Sequence, residues 1–284
     1  GMALARFLAP LGARVTLSDT KSARDLQEEL ATLEGLDLDF ALGGETPDLN
    51  VDVLFISPGV PPTAPIVQRA REKGVPISSE PRLFTQLCQA PVVGITGSSG
   101  KTTTTALVGE IFKAGGNETW VGGNIGFPLT NRLVEEGAPE VAVMELSSFQ
   151  LEFFSSDYQG EDVEHERSEA SRLVSLRGWS PHVAAITNIT PNHLDRHPSM
   201  ADYVRAKSFI LAFQERDDWT VLNADDAHYE EMAAKCVGQL LRFSLEKSVP
   251  RGAFLQGDRL LLRWDDREQM ICPVSEVKLR GRHN

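Results

Sequence analysis

Gly97, Ser98, Ser99, Gly100, Lys101, Thr102 and Thr103 follow one another within the stretch Gly94-Ile-Thr-Gly-Ser-Ser-Gly-Lys-Thr-Thr-Thr104. Residues of these types in this order make a phosphate cradle. Glycines let backbone N–H groups approach an anion with no Cβ in the way, and a helix that starts just beyond them adds partial positive charge. Lys101 supplies a mobile cation for terminal phosphates, and Thr102 a hydroxyl for Mg²⁺. The widespread form of this loop places a glycine where Ile95 stands, so the match is to the shorter Gly-x-x-Gly-Lys-Thr form.

Other groups further along the chain could complete a reaction at bound phosphates. Glu145 closes the apolar run Val141-Ala-Val-Met144, a usual place for a carboxylate that holds Mg²⁺ across from a phosphate loop. His193 and Asp195 fall in a loop after another apolar run, Val183–Ile186, and Lys207 lies on the helix that follows. A strand-end glutamate or a lone loop histidine is commonplace by itself. With a phosphate cradle in the same chain, the set points to nucleotide-dependent chemistry.

Such groups need a scaffold that brings strand ends together. Pro91, Val92, Val93 and Ile95 suit a buried parallel strand, and Ala106, Leu107, Val108, Ile111 and Phe112 recur at helical spacing behind the cradle. Upstream, a helix at Met2–Leu11 precedes a strand ending at Ser18. A capping box at Ser22 and Asp25 opens a helix to about Leu33. A strand Val51–Ile56, a helix Pro65–Lys73, a strand Val75–Ser78 and a helix Pro81–Leu87 follow. This alternation predicts an α/β protein with a parallel sheet, whose ligands sit beyond the carboxyl ends of the strands. Asp19 and the turn Ser57–Gly59 then fall on the binding edge, although Asp19 serves equally well as a turn cap. Between Ser155 and Ser180 the chain turns polar, with Glu161, Asp162, Glu164, Glu166 and Glu169 close together, and reads as a flexible insertion. From Leu240 to Val277 alternating residues read as antiparallel hairpins.

The chain has 284 residues, enough for about two domains. Its 28 basic and 40 acidic residues give a net charge of −12, which argues against nucleic acid as a partner. Three scattered cysteines, Cys88, Cys236 and Cys272, read as free thiols in a reducing compartment. No apolar run reaches the ~18 residues of a membrane span. A cytoplasmic protein is the expectation.

Taken together, the cradle, Gly123-Asn-Ile-Gly126, Glu145-Leu-Ser-Ser-Phe-Gln-Leu-Glu152, Thr187-Asn-Ile-Thr-Pro-Asn-His-Leu-Asp-Arg196, Asn223-Ala-Asp-Asp226 and the terminal Leu279-Arg-Gly-Arg-His-Asn284 resemble the Mur ligases. The Glu145–Glu152 string resembles their D-glutamate-adding member. The resemblance implies a Rossmann-like domain for the UDP substrate at residues 1–89, without its first strand and glycine loop. A P-loop-type central ATPase domain follows at 90–284, with a mostly parallel sheet and a small antiparallel hairpin region. The family's C-terminal amino-acid-binding domain is expected to be absent.

The implied activity is ATP-dependent addition of D-glutamate to UDP-N-acetylmuramoyl-L-alanine, with ATP and Mg²⁺ as cofactors and with the D-glutamate pocket outside this chain. By the same resemblance Lys101 and Thr102, with Thr103 beside them, would bind the ATP phosphates, and Asn284 with His283 would approach the adenine. Thr102, Glu145, His193 and a carbamylated Lys207 would hold Mg²⁺. Asn124, Ser147, Gln150 and His193 would touch the muramoyl part of the substrate. Asp19 and Thr20 would lie at the uracil, and Ser57 and Gly59 along the uridine diphosphate. Lys21 stands where the family would place an arginine. Two other functions remain open on the sequence: a truncated module that binds without turnover, and another amide ligase of the family, such as a folylpolyglutamate synthase.

Overall fold

The computed structural model describes residues 1–57, 59–126, 128–154 and 178–279. Nearly all of the acidic segment, together with His283 and Asn284, lies outside the described residues. The chain divides into two compact units, one including residues 1–90 and 126–139, the other 91–125, 140–154 and the chain from 178 on.

The first unit contains α1 (Met2–Leu8), β1 (Val15–Ser18), α2 (Gln27–Ala31), β2 (Leu38–Ala41), β3 (Leu54–Phe55), α3 (Pro65–Glu72), β4 (Ile77–Ser78) and α4 (Glu80–Leu87). Its strands form two parallel pairs, β1 with β2 and β3 with β4, where the alternation predicts one sheet. β2 has no counterpart among the predicted strands. Only Ala41 of its four residues is buried and Phe40 is exposed, so it carries little apolar signal. β3 is shorter than the run Val51–Ile56. Leu54 donates its N–H to the carbonyl of Pro76, which has no N–H to return. Ala5, Leu17 and Leu33 form one core cluster, with Val15, Leu30 and Leu38 packed on it. α6 (Thr130–Glu135) is tied to α4 by Glu80, whose Oε1 accepts from the N–H and the hydroxyl of Thr130 at 3.1 and 3.0 Å.

The second unit is built on a sheet of nine described strands. They are β5 (Val92–Thr96), β6 (Thr119–Gly123), β7 (Val141–Glu145), β8 (Val183–Ile186), β9 (Trp219–Asn223), β10 (Gln239–Ser244), β11 (Gly252–Gln256), β12 (Arg259–Trp264) and β13 (Arg267–Pro273), in the order β13-β12-β11-β10-β9-β8-β5-β7-β6. The strands from β6 to β11 pair in parallel, and β12 and β13 are antiparallel. The α/β class, the mostly parallel sheet and the small antiparallel region are therefore as the sequence predicts. The hairpins start later than expected, because β10 continues the parallel set.

β5 and β7 are buried at every position, as central strands covered on both faces must be. Val93, Ile95, Val141 and Val143 form the core there, and Val108 and Phe112 of α5 (Lys101–Ala114) pack on it. Leu107 and Ile111 of the same helix are exposed. Registry pairs Ile95 with Glu145 and Thr96 with Ile186, so the cradle, Glu145 and the loop after β8 leave the sheet side by side. No helix among the described residues is long and apolar enough to cross a membrane.

Candidate nucleotide and metal site

The cradle leaves β5 at Gly97, whose φ of 154° and lack of a side chain are both required. A Cβ there would stand 1.9 Å from the Thr187 hydroxyl oxygen. Thr187 and Asn188, just past β8, hold the loop open from that side. The Thr187 hydroxyl donates to the Ser99 carbonyl at 2.7 Å, and Asn188 Nδ2 donates to the same carbonyl at 3.0 Å. Asn188 also accepts the N–H of Ser99 on its side-chain oxygen and that of Ser98 on its carbonyl. Ser98 is buried, its hydroxyl donating to the Thr190 carbonyl at 2.8 Å and lying 3.1 Å from the Tyr203 hydroxyl. The backbone of both serines and the hydroxyl of Ser98 are thus tied to the segment that follows β8. Sequence reasoning assigned no role to Thr187, Asn188, Thr190 or Tyr203, although the first three lie within a motif it singled out.

Two lysines meet behind the loop. Lys101 Nζ and Lys207 Nζ each donate to the Gly97 carbonyl at 2.8 Å, and Lys101 also reaches the Ser98 carbonyl at 3.3 Å. Lys207, on α8 (Met200–Ser208), is 1% exposed, and its ammonium lies 4.6 Å from the centre of the Tyr203 ring. Burial, helped by the charge of Lys101, pushes its pKa down to about 7. Burial also lowers the pKa of Lys101, against an opposing pull from Glu145.

Glu145 is 2% exposed at the end of β7 and fully engaged. Its Oε2 accepts from the Thr102 hydroxyl and its Oε1 from Asn124 Nδ2, both at 2.8 Å. The backbone of Asn124 donates to the Glu145 carbonyl at 2.8 Å, and a Cβ at Gly123 would strike that same oxygen at 2.3 Å. The glycine turn is thereby fastened to the carboxylate. These oxygens suit Mg²⁺, which takes one or two protein ligands and completes its shell with phosphate and water. Among the described residues no cluster of three or more His, Cys, Asp or Glu side chains gathers.

α7 (Ser148–Glu152) begins beside Glu145 with a complete capping box. The Ser147 hydroxyl accepts the N–H of Gln150 at 3.2 Å, and Gln150 Oε1 accepts the N–H of Ser147 at 2.9 Å. His193, exposed and with a φ of 54°, lies in the loop after β8 with its ring edge-on to Phe149 of α7, centroids 5.2 Å apart. Asp195 is exposed in the same loop. The turn at Asn223–Asp226 buttresses this region: Asp226 Oδ2 accepts the N–H of Ile189 at 2.7 Å, and Asn223 Nδ2 donates to the Thr187 carbonyl at 3.1 Å.

The structure therefore brings Gly97, Ser98, Ser99, Gly100, Lys101, Thr102, Asn124, Glu145, Ser147, Gln150, His193 and Lys207 to the strand ends of one unit. Thr103 lies in the first turn of α5. Asp19, Thr20, Ser57 and Gly59 belong to the other unit. There Asp19 Oδ1 accepts the N–H of Lys21 at 2.9 Å, closing a turn after β1, and the Ser57 carbonyl accepts the N–H of Val60 at 2.9 Å.

The chain is similar to known proteins along its whole length. A family model described as the Mur ligase middle domain matches residues 95–160 and 161–284, and one described as the MurD-like N-terminal domain of Mur ligases matches residues 1–79. Proteins named UDP-N-acetylmuramoylalanine–D-glutamate ligase are similar to the whole chain, at 41% identity in Symbiobacterium thermophilum and 42% in Trichlorobacter lovleyi. The chain spans 58% and 59% of the length of these two relatives. A solved UDP-N-acetylmuramate:L-alanyl-gamma-D-glutamyl-meso-diaminopimelate ligase from Neisseria meningitides shares the fold with a TM-score of 0.58 at 19% identity, over 99% of this chain and 85% of that one. A murein peptide ligase from Psychrobacter arcticus does so with a TM-score of 0.51 at 17% identity, over 99% of this chain and 59% of that one. On the family models and the relatives that match it from end to end, the chain belongs to the Mur ligase family.

Proposed function

We propose that this chain forms the UDP-substrate and ATP-binding parts of a cytoplasmic ligase that adds D-glutamate to UDP-N-acetylmuramoyl-L-alanine in peptidoglycan precursor synthesis. The observation that carries the reading is the convergence of Lys101, Lys207 and the Thr102–Glu145 pair on one glycine loop. Substrate identity is supported by the relatives named for this reaction. ATP would supply a phosphoryl group that turns the unreactive L-alanyl carboxylate into an acyl phosphate, and Mg²⁺ would offset the charge that develops.

The chain's own residues would then bind and orient. Backbone groups of Gly97–Gly100 and the Lys101 ammonium would hold the terminal phosphates, with Lys101 offsetting charge as phosphate departs from the tetrahedral intermediate formed when the D-glutamate amine adds to the acyl phosphate. Thr102, Glu145 and His193 would hold Mg²⁺. Lys207 would join them as a carbamate, a modification that only a neutral amine can undergo and that its depressed pKa favours. Asn124, Ser147 and Gln150 would meet the muramoyl part, and Asp19, Thr20, Ser57 and Gly59 the uridine diphosphate.

Titration calorimetry with Mg·ATP tests the nucleotide half. Measurable binding to the wild-type chain that is lost in Lys101→Ala is expected, and equal affinities would remove the reading. UDP-N-acetylmuramoyl-L-alanine should raise the melting temperature more than the same nucleotide carrying L-alanyl-D-glutamyl-lysine, because a ligand stabilises the state that binds it. Indistinguishable shifts would point to another substrate of the family.

A further inference from the structure

Ser148 and His197 stand outside every role assigned above, yet each is only 2% exposed. The Ser148 hydroxyl lies 2.9 Å from His197 Nε2, and His197 Nδ1 lies 3.6 Å from Glu152 Oε1. Serine, histidine and glutamate in this sequence of contacts suggest a nucleophilic triad. Burial rules that use out, because no substrate carbonyl could reach the hydroxyl, and 3.6 Å is too long for the bond that would orient the imidazole. The contact does something else, since it joins two segments far apart in the chain. Ser148 opens α7, directly after Ser147, and His197 ends the turn that begins at His193.

That turn is wound tightly. The His193 carbonyl accepts the N–H groups of both Arg196 and His197 at 3.0 Å, while His193 itself takes a left-handed conformation that a non-glycine residue adopts only when its surroundings impose it. Phe149 is the plate between the segments. The His197 ring stacks on it with centroids 5.4 Å apart and planes 20° apart, the Arg196 guanidinium lies 3.9 Å from its centre, and the His193 ring meets its edge. His193 is exposed and so depends on this framework for its orientation.

We propose that His197 is a positioning residue: through its hydrogen bond to Ser148 it clamps the His193 turn onto α7 and so sets the direction in which the His193 imidazole faces the Mg·ATP site. The functional consequence rests on the reading of His193 as part of that site; the orientation of His193 does not. Positioning groups behind a metal-binding histidine usually account for about 10- to 100-fold in affinity.

The test uses the chain with ¹⁵N-labelled histidine and the variants Ser148→Ala, His197→Phe and His197→Gln, with the His193 signals assigned by their loss in His193→Gln. Phenylalanine keeps a ring against Phe149 but has no nitrogen for Ser148, whereas the glutamine amide can reach the serine oxygen. Ser148→Ala and His197→Phe should each shift or broaden the His193 ring signals and weaken Mg²⁺-dependent ATP binding about tenfold. His197→Gln should recover most of both, and the double variant Ser148→Ala/His197→Phe should lose no more than either single one. Unchanged His193 signals in Ser148→Ala, or additive losses in the double variant, would overturn the proposal. If His197→Phe fails to fold, Ser148→Ala decides. Should the wild-type chain bind no Mg·ATP, the proposed function fails, while the His193 signals still decide the positioning role.

Discussion

Lys207 is the residue whose chemistry is most altered by its surroundings. An ordinary lysine titrates near 10.5, but burial beside Lys101 brings this one down to about 7. Below that value the folded protein carries a buried ammonium and bears its full penalty. As pH rises from about 7 toward 10.5 the folded state sheds this proton while the unfolded chain keeps it, so stability rises over that window, by at most about 1.4 kcal/mol per pH unit. In buffer freed of carbon dioxide, urea denaturation between pH 7 and 9 should show this rise in the wild type, and Lys207→Met should flatten it. A wild-type slope no steeper than that of the variant would mean that Lys207 is solvated and charged at neutral pH.

At the scale of elements, α5 and α7 show how helices are held for use. α5 meets the sheet through Thr105 and Gly109, both buried, and a Cβ at Gly109 would come 2.4 Å from a methyl of Val121 on β6. Replacing a mid-helix glycine with alanine ordinarily stabilises by up to about 1 kcal/mol. Here Gly109→Ala should instead destabilise by about 1–3 kcal/mol, because the stiff valine cannot turn aside; a raised melting temperature would refute this. α7 is only five residues long and relies on its capping box. Ser147→Ala should cost about 1 kcal/mol in chemical denaturation, and His193 ring signals that stay fixed in that variant would show that the box serves stability alone. The apolar residues of α5 were legible as a helix, but not which of them face inward. Leu107 and Ile111 point outward, whereas Val108 and Phe112 pack on the core beside the buried Thr105 and Gly109, and at Gly109 the strand comes too close for a larger side chain.

Across the whole molecule, each unit carries its own core and its own share of the proposed ligands. Ile95 is completely buried in the core beneath the cradle, and Leu17 is 7% exposed in the core beneath Asp19. Either residue changed to alanine should cost about 2–5 kcal/mol. Ile95→Ala should weaken Mg·ATP binding most, and Leu17→Ala the thermal shift produced by UDP-N-acetylmuramoyl-L-alanine. Identical effects of the two variants on both ligands would contradict the assignment of ATP to one unit and of the uridine diphosphate end of the substrate to the other.

The sequence alone determined the α/β class, the mostly parallel sheet, the glycine-rich turn from β5 into α5 and the strand that delivers Glu145, because each is written locally. Continuous apolar runs mark central strands, and glycines with a lysine and threonines mark the turn into α5. Family membership was legible for the same reason, in short strings such as Glu145–Glu152. Tertiary structure decided what depends on distance between segments. Strand order placed β7 and β8 on either side of β5 and β6 beyond β7, and that order brings Asn188 onto the cradle, Asn124 onto Glu145 and Lys207 under Gly97. The clamp between Ser148 and His197 joins positions with no periodicity between them, and the lowered pKa of Lys207 comes from a burial that its own helix does not encode. Spacing along a chain cannot specify such contacts, because they arise when separate strands release their ends at one edge of a sheet.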